Sequence, residues 1–335
     1  MTPGETSGTT SRGSIAASVV IPTAGARPRL AEVIDALEQQ MEAPPFELLL
    51  VADGPAERGT PRLDARRIAI PHRWLHCEKG GPARARNAGV RAASGELLLF
   101  LGDDTVPARD WVARHCDAHR RRGDAPALAV VGYTRWHRDL RVTPFLAYLN
   151  EEGRQFGYGL IEDPEQLSPQ MLYASNLSLP RSLLLDEPFD ERFRSAHFED
   201  AELGHRLVAR RGLRIAFAPE AIVEHDHPTD LAAFARREEA AGVAAILFHE
   251  LHPELGPALG ITADGPVPLP PRLPHLVRTC IAELLAPFPI RAARVWEPVL
   301  RYHYLRGLHR GWAQKTAPHA TSSEPARAAI TVAAR

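Results

Sequence analysis

The chain has 335 residues, 44% hydrophobic and 24% charged, with a formal net charge of −1. This is ordinary globular composition, enough for one large domain with an appendage, and its balance supplies no basic field for a nucleic-acid partner. Cys77, Cys116 and Cys280 are far apart and outside any CxxC pattern, which argues against a disulfide framework and for a reducing compartment.

Residues 1–14 are small and polar, carry no apolar segment of the kind a signal peptide needs, and are expected to lack fixed structure, as are residues 316–335. The run ASVVIPT (17–23) reads as a buried strand. Leu30, Val33, Ile34 and Leu37 then share one helical face. FELLLVADG (46–54) is a second strand, ARARNAGVRAA (83–93) a helix and GELLLFLGDD (95–104) a third strand. A helix follows from Trp111, and ALAVVGY (127–133) is a further strand. Strand and helix alternating at this spacing predict an α/β fold, a mostly parallel sheet with helices on both faces.

Residues 145–170 break the pattern and read as a binding wall or lid. Regularity returns with MLYASNLSLP (171–180), the helix EDAELGHRLVAR (199–210) and the strand LRIAFAP (213–219). From about residue 229 the chain is expected to be helical and without strands. No apolar run is long enough to span a bilayer, so the cytoplasm is the expected location.

Ligands of open parallel sheets bind beyond the carboxyl ends of the strands. The first three strands end there in Thr23, Asp53 and Asp103-Asp104. Adjacent carboxylates repel unless a cation or donor compensates. A Mg²⁺ or Mn²⁺ ion bridging a diphosphate would do so; a solvated turn with Asp104 capping a helix accounts for the pair equally well. Asp53-Gly54 suits a contact to a base or ribose, and also an ordinary turn. Lys79-Gly80-Gly81-Pro82 leads into a helix carrying Arg84 and Arg86, a suitable phosphate clamp, although a plain loop with an exposed helix face accounts better for the segment taken alone.

In FEDAELGHRL (198–207), Leu203, Leu207 and Val208 form an apolar stripe, and Glu202 and Arg206 an outward i,i+4 pair. Glu199 and Asp200 therefore open the helix, where the helix dipole favours an ionised base; acids that merely complement the dipole would sit there too. His225 and His227 alternate after an apolar run, as metal ligands or as part of a polar loop.

In order, VVIPT (19–23), VADG (51–54), GGPARARNAG (80–89), FLGDD (100–104), SNLSLPRSLL (175–184), FDERF (189–193) and FEDAELGHRL (198–207) resemble glycosyltransferase family 2 over roughly residues 17–227. The resemblance implies a GT-A αβα sandwich over residues 15–228, followed by a helical region over 229–315. It implies transfer of a sugar from a nucleotide-diphosphate donor to a hydroxyl, with inversion. The acceptor would be a glycan, a lipid-linked molecule or a small molecule. By the same resemblance Thr23 and Asp53 contact the donor nucleotide, Arg86 lies by its base or phosphates, and Asp103 faces the ribose. Asp104 ligates Mg²⁺ or Mn²⁺ with His225, and Asp200 is the base with Glu199 beside it. Gly102 stands where many relatives carry a third acid. A sugar-phosphate nucleotidyltransferase, supported by Gly25, Arg27 and Arg29 after the first strand, and a non-catalytic carbohydrate-binding relative are the alternatives.

Residues 272–315 hold eight basic side chains against Glu283 and Glu297, with aromatic residues interleaved. Such a stretch either lies on an anionic membrane surface or packs its apolar residues on the catalytic domain or a second subunit. Pro287, Pro289 and Pro298 interrupt a long amphipathic helix and favour packing.

Overall fold

In the computed structural model the described residues are 15–24, 28–54, 67–151, 155–285 and 293–317. The N-terminal tail, most of the C-terminal tail, and Gly25, Arg27, Pro287 and Pro289 lie outside them. Strand β1 (Ala17–Thr23), helix α1 (Leu30–Glu38), β2 (Phe46–Asp53), β3 (His72–Cys77), α2 (Pro82–Ala92) and β4 (Leu97–Leu101) form the first half. After β5 (Thr105–Pro107) come α3 (Trp111–Arg121), β6 (Leu128–Trp136), α4 (Pro144–Glu151), β7 (Asn176–Pro180), α5 (Arg181–Asp186), α6 (Glu199–Arg211) and β8 (Arg214–His225). Helices α7 (Leu231–Leu251) and α8 (Gly256–Leu259) follow. A two-residue hairpin, β9 (Ile261–Thr262) with β10 (Gly265–Pro266), precedes α9 (Arg272–Leu285) and α10 (Ala293–Thr316).

Among these residues, eight strands make one sheet in the order β3-β2-β1-β4-β7-β6-β8-β5. Strands β3, β2, β1 and β4 run parallel, as do β6 and β8, while β7 and β5 run against their neighbours. The mostly parallel sheet is thus present, with two reversed strands. One apolar cluster packs α1 and α3 on one face, around Ile21, Leu48, Leu99 and Trp111. The other packs α2 and α6 on the opposite face, around Val20, Leu49, Phe100 and Leu203. This is why β1, β2 and β4 read as unbroken apolar runs: both of their faces are covered.

Two expectations change, and one strand is added. Strand β3 is an edge strand without a fully buried residue, so HRWLHC lacks the apolar run that marked its neighbours. The C-terminal region is helical but carries the β9–β10 hairpin. Pro298 does not interrupt a helix; it sits early in α10, where it forfeits one backbone hydrogen bond.

Helix α3 is fastened to the sheet by a buried polar network. Trp111 Nε1 donates to Asn176 Oδ1 at 2.8 Å, and His115 Nε2 lies 3.0 Å from the same oxygen. Ser178 Oγ joins His115 Nδ1 at 2.8 Å and His119 Nε2 at 3.0 Å. Burial pushes His115 down to about 3 and His119 to about 4. Both are therefore neutral in the fold but protonate near pH 6.5 in the unfolded chain. The folded state binds fewer protons, so stability is full above pH 6.5 and lost as pH falls toward 4. Each histidine should cost about 2 kcal/mol between pH 6.5 and 5. Urea midpoints measured across that range should fall, and His115→Gln should flatten the fall; a pH-independent midpoint would contradict the network.

Candidate active site

The carboxyl ends of the strands border one cleft of about 400 Å³, within the usual range for a small-ligand site. It is lined by the eight residues to which the resemblance assigns roles, Thr23, Asp53, Arg86, Asp103, Asp104, Glu199, Asp200 and His225, and by His227, but not by Arg84. Their placements differ in what each side chain already holds.

Asp53 ends β2, and its two carboxylate oxygens accept from the backbone amides of Gly80 (2.7 Å) and Gly81 (3.0 Å). It therefore fixes the loop that starts α2. Gly81 has φ +90°, and a Cβ there would stand 2.5 Å from the carbonyl oxygen of Arg194, so only glycine permits this approach. Further along α2, Asn87 exchanges hydrogen bonds with the backbone of Phe189 (2.9 and 3.0 Å), and Arg84 pairs with Glu191 at 2.8 Å. The two motifs GGPARARNAG and FDERF are thus fastened to each other.

Arg86 is buried against the Phe189 ring and donates to Glu199 Oε1 at 2.8 Å. Its charge is engaged with Glu199, the first residue of α6. Phe198, just before, adopts φ +67° and stacks on Phe248 of α7 at 5.0 Å. A left-handed conformation at a bulky residue is strained; here it turns the chain so that α6 begins with Glu199 and Asp200 at the cleft. Asp200 accepts from the amides of Ala201 (2.8 Å) and Ala174 (3.4 Å). Burial raises the pKa of both carboxyls; Asp200 adds to the rise at Glu199, and Arg86 opposes it at both. The helix dipole expected to keep the base ionised is outweighed by burial. Glu202 and Arg206 do pair, at 2.8 Å, but Glu202 is 2% exposed and the pair is covered, not outward; Val208 is instead the exposed member of the apolar stripe.

On the opposite wall, β5 pairs antiparallel with β8 so that Thr105 faces His225. That register sets Asp104 beside the end of β8: its oxygens are 3.6 Å from His225 Nε2 and 3.8 Å from His227 Nδ1. The ring of His225 stacks between Trp136 and His227, and its Nδ1 is buried with no hydrogen-bond partner among the described residues. One ligand atom from each of Asp104, His225 and His227 falls within a 4.8 Å cluster. A carboxylate with two imidazoles suits a divalent ion, so these residues fit a metal.

Several cleft residues were not singled out from sequence. Gln155 and Phe156 come from the irregular stretch read as a wall, and Tyr173 from the approach to β7. Arg237 comes from α7 and donates to Gln155 at 2.8 Å. Burial lowers its pKa, while Glu238, Asp200, Glu199 and Asp104 act against that. Nothing in LAAFARREE distinguishes Arg237 from Arg236; only the packing of α7 on the sheet domain does.

The sequence profile described as Glycosyl transferase family 2 matches residues 18–166. A pre-mycofactocin glycosyltransferase of Mycobacterium tuberculosis is 28% identical over 192 residues, covering 53% of this chain and 37% of that protein. Validoxylamine A glucosyltransferase of Streptomyces hygroscopicus subsp. limoneus is 27% identical over 283 residues, covering 72% and 58%. The chain thus spans less than two thirds of the length of either relative. The solved structure of a mannosyltransferase from Pyrobaculum calidifontis, in complex with GDP-Man and Mn²⁺, superposes with a TM-score of 0.58 at 18% identity, covering 89% of this chain and 87% of that one. That likeness is one of fold, the GT-A sandwich. Motifs in order, profile, relatives and fold all point the same way: the chain is similar to glycosyltransferase family 2.

Proposed function

We propose that the chain transfers a sugar from a nucleotide-diphosphate donor to an acceptor hydroxyl in one displacement, with inversion, using Mg²⁺ or Mn²⁺. The observation that carries this reading is the pairing of two unlike walls across one cleft, the Asp104–His225–His227 cluster opposite Glu199–Asp200. The mannosyltransferase complex with GDP-Man and Mn²⁺ supports the same ligand classes here. Residues 15–228 form the catalytic domain and 229–315 a helical addition that completes its cleft. The three free thiols favour a reducing, cytoplasmic setting.

In this reading Thr23 and Asp53 bound the nucleoside end and Asp103 faces the ribose. Asp104, His225 and His227 hold the divalent ion, which when bound neutralises charge on the departing diphosphate. Arg237 adds a second positive charge near the same position. Asp200 takes the proton of the acceptor hydroxyl as its oxygen bonds to the anomeric carbon, and the bond from that carbon to the diphosphate breaks with its electron pair leaving on the nucleoside diphosphate. Arg86 acts on this step indirectly, holding Glu199 so that Asp200 keeps its aim; the resemblance gave it a donor contact, but its guanidinium is already paired.

Asp104→Asn should lower sugar transfer by about 100-fold or more, the several kcal/mol a metal ion contributes. Transfer assayed against Mn²⁺ concentration checks this, and undiminished wild-type turnover in excess EDTA would contradict it.

Asp200→Asn should lower kcat by roughly 10²–10⁴-fold, the usual contribution of a positioned base, with donor affinity nearly unchanged by calorimetry. A base must be ionised, and burial raises the Asp200 pKa. The wild-type rate should therefore fall with decreasing pH at a higher pH than an ordinary aspartate would give. Arg86→Met removes the charge that opposes the rise and should move that limb further up. A limb unmoved by Arg86→Met would remove Asp200 from the role of base.

A further inference from the structure

Ten large hydrophobic side chains stand exposed among the described residues, and five of them, Leu273, Leu276, Val277, Ile281 and Leu284, lie on α9. They are 45% to 73% exposed. At about 100° per residue they share one arc of roughly 140° with the exposed Cys280. The opposite face anchors the helix: the buried His275 stacks on Tyr302 of α10 at 3.6 Å, and the Ala282 carbonyl accepts from Trp296 Nε1 at 3.3 Å. The apolar arc therefore points away from the protein. Exposed arginines border it on both sides, Arg272 and Arg278, with Glu283 the one acid on the helix.

Helix α10, from the same basic stretch, is different. Leu300, Tyr302, Leu305 and Leu308 are buried, Arg310 pairs with Glu239 at 2.6 Å, and Lys315 pairs with Glu250 at 3.0 Å. Packing thus accounts for α10 and leaves α9 unexplained.

From this arrangement we infer that α9 is a membrane-docking helix that lies in the surface of an anionic bilayer. Leu273 and Leu284 enter the acyl boundary, and Arg272 and Arg278 reach lipid phosphates. Among the described residues no helix is long and apolar enough to cross a membrane, and α9 itself has 14 residues, so the proposed contact lies at the surface. A second copy of the chain fits the face less well. Six side chains on one helix fall short of the roughly 20–30 residues a side that stable interfaces use, and two such faces would bring like-charged arginine borders together. The inference is independent of the sugar-transfer reading, since binding is measured without turnover.

Full-length protein should co-sediment with vesicles of equimolar phosphatidylglycerol and phosphatidylcholine, weakly with phosphatidylcholine alone, and less at high salt. Leu273→Gln with Leu284→Gln should lower binding about tenfold or more, the loss expected from two leucines withheld from the acyl region, while thermal midpoint and circular dichroism stay unchanged. Alkylation of Cys280 by a polar maleimide should slow when anionic vesicles are present. Absence of wild-type binding at low salt, equal binding by the double variant, or a wild-type dimer that the double variant dissociates in sedimentation velocity would each overturn the inference.

Discussion

The site depends on the register between β5 and β8. Directly after Asp104 the chain forms a three-residue strand whose first residue, Thr105, pairs with His225, and the Asp226 amide donates to the Asp104 carbonyl at 2.9 Å. Slipping this pairing by one residue would turn His225 to the other face of the sheet. The register is itself set elsewhere, by the irregularity where β6 and β8 change phase between Gly132 and Tyr133. Asn176 pins that place, its Nδ2 donating to the Ala221 carbonyl at 3.0 Å while its Oδ1 takes the Trp111 and His115 hydrogens. Gly132 has no room for a side chain, because a Cβ would lie 2.3 Å from the Ala221 oxygen. Bulges of this kind commonly re-aim side chains beside active sites. The buried Trp111–Asn176–His115 network thus acts on the cleft through the backbone of β8.

Charge explains the rest of the arrangement. Asp103, Asp104, Glu199 and Asp200 border one cleft, and its arginines are Arg86 and Arg237. Arg86 is engaged with Glu199, while Arg237, His225 and His227 lie toward Asp104. In the proposed reading these acids would repel a diphosphate arriving alone and a divalent ion would offset both, so donor binding and metal binding should be coupled. On the other wall, burial raises the proton affinity of Glu199 and Asp200, which suits the base proposed there.

The sequence carried the sheet wherever strands are buried on both faces, as in VVIPT and LLLFL, and carried the site wherever acids follow those strands. It did not show β3, whose exposed edge removes the apolar signal. It suggested an outward Glu202–Arg206 pair because helical spacing says nothing of the C-terminal helices that cover it. Arg237 was illegible for the same reason: its role arises from the packing of α7 beside Phe193 and Ala201, a contact between distant segments. His227 was visible only as half of an alternating pair, and the distance of each imidazole to Asp104 required the β5–β8 register. The apolar arc of α9 was hidden inside a longer basic stretch, most of which packs inward.

The most direct test of the account is pulsed electron paramagnetic resonance of Mn²⁺ bound to the wild-type protein with a nucleoside diphosphate. The account predicts nitrogen couplings from imidazole ligands that weaken in His225→Ala and vanish when His227→Ala is added. Mn²⁺ bound in the ternary complex with phosphorus couplings but no imidazole nitrogen would contradict it.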